Sequence, residues 1–201
     1  MMKYGWGKAA LVALVLTLGG CGIFDGPKEA MPWQAGDDSK DTFYAEGRLA
    51  VKVDEKGSYA PFEWLVTLDK QEVTVKSPLG NTLGVLCEDA QGVIAAGQNE
   101  VYEDDSAENL SQRLLGFSLP LDKLHFWANG RWLPNEPHHI DASGRLQQLG
   151  WTIERSATVG VDQPRLLVLD RPGLTLRLVF DAFAEAPEDA EALCSIRQTD
   201  Q

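Results

Sequence analysis

Phe62-Glu63-Trp64-Leu65-Val66-Thr67-Leu68 places Phe62, Trp64, Val66 and Leu68 on one side of an extended chain and Glu63 and Thr67 on the other. Alternation of this kind has the period of a strand with one buried face. The same pattern recurs on both sides of it. Upstream, Leu49, Val51 and Val53 alternate with Arg48, Ala50 and Lys52. Downstream, Val73 and Val75 alternate with Glu72, Thr74 and Lys76, and Leu83, Val85 and Cys87 with Gly84 and Glu88. Short runs at 92–96 and 100–103 extend the series. Consecutive strands joined by brief polar turns read as an antiparallel meander.

The period then changes. Asp105-Ser106-Ala107-Glu108 has the residues of a helix start, and Gly116 those of a stop. Between them Ala107, Leu110 and Leu114 share a stripe that Phe117 continues. A second short helix is predicted from Pro120 to Asn129, with Leu121, Leu124 and Ala128 on its apolar side and Trp127 beside them. Strands resume after Pro137. Pieces within 146–154 flank Gly150, a run follows at 166–170, and Arg171-Pro172-Gly173 is a turn. Leu174, Leu176, Leu178 and Phe180 form the last clean apolar face. The expected fold is mainly β with some α. One curved antiparallel sheet of roughly nine to eleven strands closes partway into a barrel, and short helices cover its mouth.

The N-terminus adds a destination. Lys3 and Lys8 precede an apolar stretch from Ala9 to Leu18, and Leu18-Gly19-Gly20-Cys21-Gly22 follows. A basic start, a short apolar run and small residues describe a secretory signal. The run is too short for a spanning helix, which needs roughly 20 apolar residues. A cysteine directly after Leu-Gly-Gly resembles the bacterial lipoprotein box. That resemblance implies cleavage before Cys21 and lipidation on it. Gly22, where an aspartate would retain the protein in the inner membrane, implies the outer membrane facing the periplasm. One acyl chain alone binds a bilayer only marginally, so stable anchoring needs more than one. Residues 1–20 are thus read as signal, 21–41 as a tether, 42–183 as the folded domain and 184–201 as an acidic, mobile tail.

Composition narrows the partners. The chain carries 30 Asp and Glu against 18 Lys and Arg, a net charge of −12, and the leader takes two of the lysines away. So acidic a body does not suit nucleic acid. Apart from Cys21 there are only Cys87 and Cys194. An oxidising periplasm permits a disulfide between them. Their positions, in a strand pattern and in the tail, leave pairing open, and two unpaired thiols are the simpler expectation.

No phosphate loop, nucleophile elbow or Cys-x-x-Cys is present. His138-His139 would point to opposite sides of a strand, with no third ligand nearby, so a solvated turn is expected and no metal. No acid–base pair stands out among the carboxylates. Neither an enzyme nor a cofactor is expected.

Two features carry functional content. Ser77-Pro78-Leu79-Gly80 is a turn between strands, and its leucine either folds back on the core or forms an exposed tip. Five tryptophans remain after cleavage: Trp33, Trp64, Trp127, Trp132 and Trp151. Such residues fill a core or line a cavity equally well. Trp33 either begins a short helix or packs on the body.

Gly47-Arg48-Leu49-Ala50-Val51, Phe62-x-Trp64, Ser77-Pro78-Leu79-Gly80-Asn81-Thr82, Leu119-Pro120-Leu121, Trp127-x-x-Gly130 and Gly144-Arg145-Leu146 together resemble the LolB family of outer-membrane lipoprotein receptors. The resemblance implies an incomplete barrel with an apolar cavity and a helical lid. It also implies that lipoproteins arrive from the soluble carrier LolA and are released into the inner leaflet of the outer membrane. On this reading Phe62, Trp64, Val66, Trp127, Trp151, Leu176 and Leu178 line the acyl-chain cavity. Leu79, with Pro78 and Gly80, forms the insertion loop of a monomer. The residues alone also fit a lipoprotein holding some other apolar ligand, or a structural or assembly lipoprotein with a filled core.

Overall fold

The computed structural model of the chain describes residues 28–37, 42–97, 99–187 and 194–198. The signal, Cys21 and the rest of the tether and tail lie outside the described residues. In chain order the elements are β1 (Lys28–Ala30), β2 (Gln34–Ala35), β3 (Phe43–Val53), β4 (Lys56–Val66), β5 (Gln71–Lys76), β6 (Thr82–Asp89), β7 (Gly92–Ala96) and β8 (Val101–Asp104). Helices α1 (Ala107–Leu115) and α2 (Leu121–Ala128) follow. Then come β9 (Arg131–Trp132), β10 (His138–Ile140), β11 (Leu146–Gln148), β12 (Trp151–Thr158), β13 (Pro164–Arg171) and β14 (Leu174–Ala184).

Pairing follows the alternation read from the sequence. β3 and β4 match along their whole lengths, from Phe43 opposite Val66 to Val53 opposite Lys56. The sheet runs β10-β11-β12-β13-β14-β3-β4-β5-β6-β7-β8, antiparallel throughout, with β1 added on β12. Its last strands, β10 and β8, are not neighbours, so the sheet is open, as the sequence predicts. The closest strand contact in its middle depends on Gly47. A Cβ there would lie 2.0 Å from the Val179 carbonyl oxygen, at the bulge between Phe180 and Ala182. Only glycine lets the two backbones approach so closely.

The inner face carries the core. Phe43, Phe62, Trp64, Phe180, Leu167 and Leu169 of β13 and the leucines of β14 are buried there, and Phe43 meets Trp64 edge-on at 4.8 Å between ring centres. Both helices pack across this face. Ser106 caps α1 by accepting the Asn109 N–H at 3.2 Å, and Gly116 ends it in the left-handed conformation.

Four expectations change. Leu68, read as part of the apolar face of β4, falls in the turn beyond it and is exposed, because the strand ends at Val66. Part of the expected tether is built into the body. β1 pairs with β12, β2 runs parallel to β9, and Trp33 packs down, its indole N–H donating to the Gly144 carbonyl at 2.9 Å. The described part of the tail is docked. Cys194 forms a disulfide with Cys87, with Cα atoms 5.4 Å apart, so the two thiols are paired. A short 3-10 helix, Ser195–Gln198, follows, and Ile196 joins Leu65, Cys87 and Ile94 in a small apolar cluster on the outer face. Arg197 then bonds Asp89 and the Gly92 carbonyl, each at 2.9 Å. Fourth, His138 and His139 belong to strand β10, not to a turn; they are exposed, and His138 stacks on Trp132.

Candidate functional site

Between the inner face and the helices lies a cavity of about 400 Å³. That is within the range of small-molecule pockets, about 300–1,000 Å³. Its floor is Leu49 and Val51 of β3, Phe62 and Trp64 of β4, Val73 and Val75 of β5, and Leu176 and Leu178 of β14. One wall comes from Gly84, Val85 and Leu86 of β6, Ala95 and Ala96 of β7, and Tyr102 of β8. The roof is Leu110, Leu114 and Leu115 of α1, Phe117 and Leu119 of the link, and Leu121 and Leu124 of α2.

Its few polar side chains are engaged elsewhere. The Ser111 hydroxyl donates to the Ala107 carbonyl at 2.6 Å and accepts the Leu119 N–H at 2.7 Å. The Tyr102 hydroxyl donates to Glu100. The space therefore offers dispersion contact and water exclusion but no acid, base or metal ligand, which suits hydrocarbon.

Of the residues the sequence singled out, Phe62, Trp64, Leu176 and Leu178 line the space. Val66, Trp127 and Trp151 do not, and for each the reason is local. Val66 lies deeper along β4, opposite Phe43, in fully packed core. Trp127 is buried under α2, its indole N–H donating to the Gln148 side-chain oxygen at 3.1 Å. Gln148 also accepts the Leu133 N–H and donates to its carbonyl, so that polar cluster is satisfied. Trp151 carries the Arg171 guanidinium 4.2 Å from its ring centre, outside the cavity. Leu49, Val51, Val73 and Val75 were on the alternating apolar faces and belong to the lining. The small residues Gly84, Ala95 and Ala96 had no signal of their own, although small side chains there leave the space empty.

The two helices are held differently. α2 is pinned at both ends by buried side chains of the sheet. Gln71 donates to the Leu121 carbonyl at 3.2 Å while accepting from Trp64. Arg155 donates to the Ala128 carbonyl at 2.9 Å, at the negative end of the helix dipole. Burial pushes its guanidinium down to about 10. α1 buries Ala107 and Leu110 in the core, and its ion pairs lie near the surface, Arg113 to Asp104 at 2.9 Å and Lys123 to Glu108 at 2.7 Å. Burial opposes the charge on Lys123, but its bonds to Asp122 and Glu108 outweigh that and hold it above its usual value.

At one end of the cavity Leu114 and Leu115 are partly exposed, and this is its mouth. Beyond Val75 and Gly84, which pair with each other and line the cavity, the β5–β6 hairpin continues into the turn at 77–81. The Gly80 N–H donates to the Ser77 carbonyl at 2.9 Å, and Gly80 takes a φ of 85°, so the turn is closed and Leu79 cannot fold back. Leu79 is 88% exposed. The sequence left its direction open; the hairpin geometry sends it outward.

A family model described as outer membrane lipoprotein LolB matches residues 41–182. The chain belongs to the LolB family. The outer-membrane lipoprotein LolB of Neisseria meningitidis is 40% identical over 187 residues, covering 92% of this chain and 95% of its own length. That of Chromobacterium violaceum is 34% identical over 181 residues, covering 88% and 98%. Among solved structures, a domain from Vibrio parahaemolyticus described as outer membrane lipoprotein-sorting aligns with a TM-score of 0.44 and 11% identity, covering 77% of this chain and 89% of that one. A likeness that distant carries no weight beside the sequence relatives. The LolB match spans every residue that lines the cavity and the turn bearing Leu79.

Proposed function

We propose that this chain is an outer-membrane receptor for lipoproteins. It takes them from a LolA-like periplasmic carrier, shelters their acyl chains in the cavity and releases them into the inner leaflet. The single observation that carries this is the apolar cavity of about 400 Å³ with Leu79 projecting beside its mouth. Family membership supports the same reading. Lipid on Cys21 would anchor the body on the periplasmic side, and no described helix is long and apolar enough to cross a membrane. The role is binding and transfer; no bond of the cargo changes.

Transfer needs only a downhill series of affinities. A tenfold preference at each handover corresponds to about 1.4 kcal/mol. A smooth apolar cavity provides modest affinity for chains of many shapes, since each buried methylene contributes about 0.8 kcal/mol without fixing a direction. The bilayer buries the same methylenes more completely, so release follows. Loosely tied α1 allows entry, and pinned α2 keeps the remaining roof in place.

The decisive experiment mixes the purified chain with a carrier–lipoprotein complex and follows the cargo by pull-down. Cargo should move to this chain and then into added vesicles. Cargo that stays on the carrier would overturn the reading.

A further inference from the structure

The cavity has a shape as well as a size. Its lining comes from seven consecutive neighbours in the sheet, β14, β3, β4, β5, β6, β7 and β8. Most give two inward residues, such as Leu49 and Val51, Phe62 and Trp64, or Val73 and Val75. Neighbouring strands lie about 4.8 Å apart and successive inward residues of one strand about 7 Å apart, so the space runs roughly 29 Å across the strands and is narrow along them. A slot of this form suits one extended hydrocarbon chain better than several side by side. Volume leads to the same count. An apolar void of about 150 Å³ takes up one benzene, so each carbon needs roughly 25 Å³. The cavity of about 400 Å³ therefore holds roughly sixteen carbons. A lipoprotein stably anchored in a bilayer carries more than one chain, so its lipid exceeds the space.

Side-chain size on β6 and β7 makes the room. Val73 of β5 stands opposite Leu86, Leu86 opposite Ala95, and Ala95 opposite Tyr102. Ala95 is the small member of that inward row, so the slot is open above it. The row lies two residues along β6 from Gly84, away from the turn bearing Leu79. The Ser111 and Tyr102 hydroxyls are engaged with protein partners, so the polar end of a ligand stays outside and its methyl end enters first. We infer that the cavity is a one-chain compartment, sized for a single straight acyl chain of roughly sixteen carbons, and that Leu86 and Ala95 set the length it accepts. The chains of a cargo then pass through it in turn, each leaving for the bilayer before the next enters, while the others stay with the donor. This inference rests on the receptor reading above and adds which part of the cargo the site measures.

The test titrates the purified chain carrying Cys21→Ser, so that no lipid of its own competes, with straight-chain fatty acids of increasing length that displace an apolar dye. Affinity should rise about fourfold with each added methylene and level off near sixteen carbons. Ala95→Leu should move that break to chains about three carbons shorter, and Leu86→Ala to chains about three carbons longer, matching the carbons each side chain gains or loses. The double variant conserves volume and should return the break to its native place, which separates a change of capacity from damage to the fold. A peptide bearing one palmitoyl chain and the same peptide bearing three should each bind once per protein, with affinities within about tenfold. An affinity with no break between about 12 and 20 carbons would overturn the proposal. So would a break that neither single variant moves, a double variant that keeps a shifted break, or a three-chain peptide bound more than about tenfold tighter than the one-chain form. None of these measurements uses the carrier, so a chain that shows the break but takes no cargo from a carrier complex would count against the receptor reading alone.

Discussion

At the scale of single residues, Leu79 shows how backbone and side chain divide a task. Pro78 and Gly80 set the turn, and the leucine is carried outward at a cost that only a function explains. Leu79→Glu should fold normally, accept cargo from the carrier and deliver it poorly. A vesicle-insertion assay checks this, and normal delivery by the variant would remove the insertion role. Asp141 closes the β10–β11 turn. The Ser143 hydroxyl, the Arg145 N–H, the Ser143 N–H and the Arg145 side chain hold its carboxyl well below the usual carboxylate range. A depressed folded-state value means stability that is present above roughly pH 4, the unfolded value, and is lost as pH falls below it. Urea midpoints of the native chain and Asp141→Asn should therefore differ at neutral pH and converge in acid. The sequence places Gly144 in that turn, but not the hydrogen bonds that lower the carboxylate, because those depend on the conformation of the closed loop.

At the scale of elements, the helices were legible as helices and not as a fixed and a movable half of one roof. Caps and stripes specify where α1 and α2 begin and end. Their attachment depends on Gln71, Arg155 and Gln148, which come from distant strands and carry no helical signal. Surface ion pairs are worth about 0–1 kcal/mol, whereas leaving a buried carbonyl without its donor costs about 1–3 kcal/mol. Glu108→Gln combined with Arg113→Gln should therefore speed uptake of an apolar dye while barely moving the melting temperature. Arg155→Leu should do the reverse, lowering stability by about 1–3 kcal/mol. Stopped-flow fluorescence and thermal melts separate the two outcomes. Equal effects of both changes on dye uptake would show that the roof moves as one piece.

At the scale of the whole molecule, the Cys87–Cys194 bridge closes a span of 107 residues and straps the C-terminal segment across the outer face of β5, β6 and β7. Cross-linking over such a length restricts the unfolded chain and typically contributes about 2–4 kcal/mol. Cys87→Ser, Cys194→Ser and the double variant should lose stability by the same amount, read from denaturant midpoints. Unequal losses would mean that the strap, rather than the bond, is what matters. Leu65, Cys87 and Ile94 lie on the outer face under the strap; the alternation of β6 put Cys87 on the apolar side with Leu83 and Val85, whereas Gly84 and Leu86 are the residues that pair with the cavity-lining Val75 and Val73. The sequence by itself determined the strands of the main meander, both helices, the antiparallel order and the acidic character, because period, turn chemistry and charge are properties of neighbouring residues. It also determined the family through motifs spread along the chain. Only the tertiary structure decided that the interior beneath α1 and the start of α2 is empty while that around Trp127 at the end of α2 is full. Trp64 and Trp127 have the same chemistry; one borders open space and the other is packed against Gln148. A void is set by how distant surfaces fit together, and no single segment of the chain contains that information.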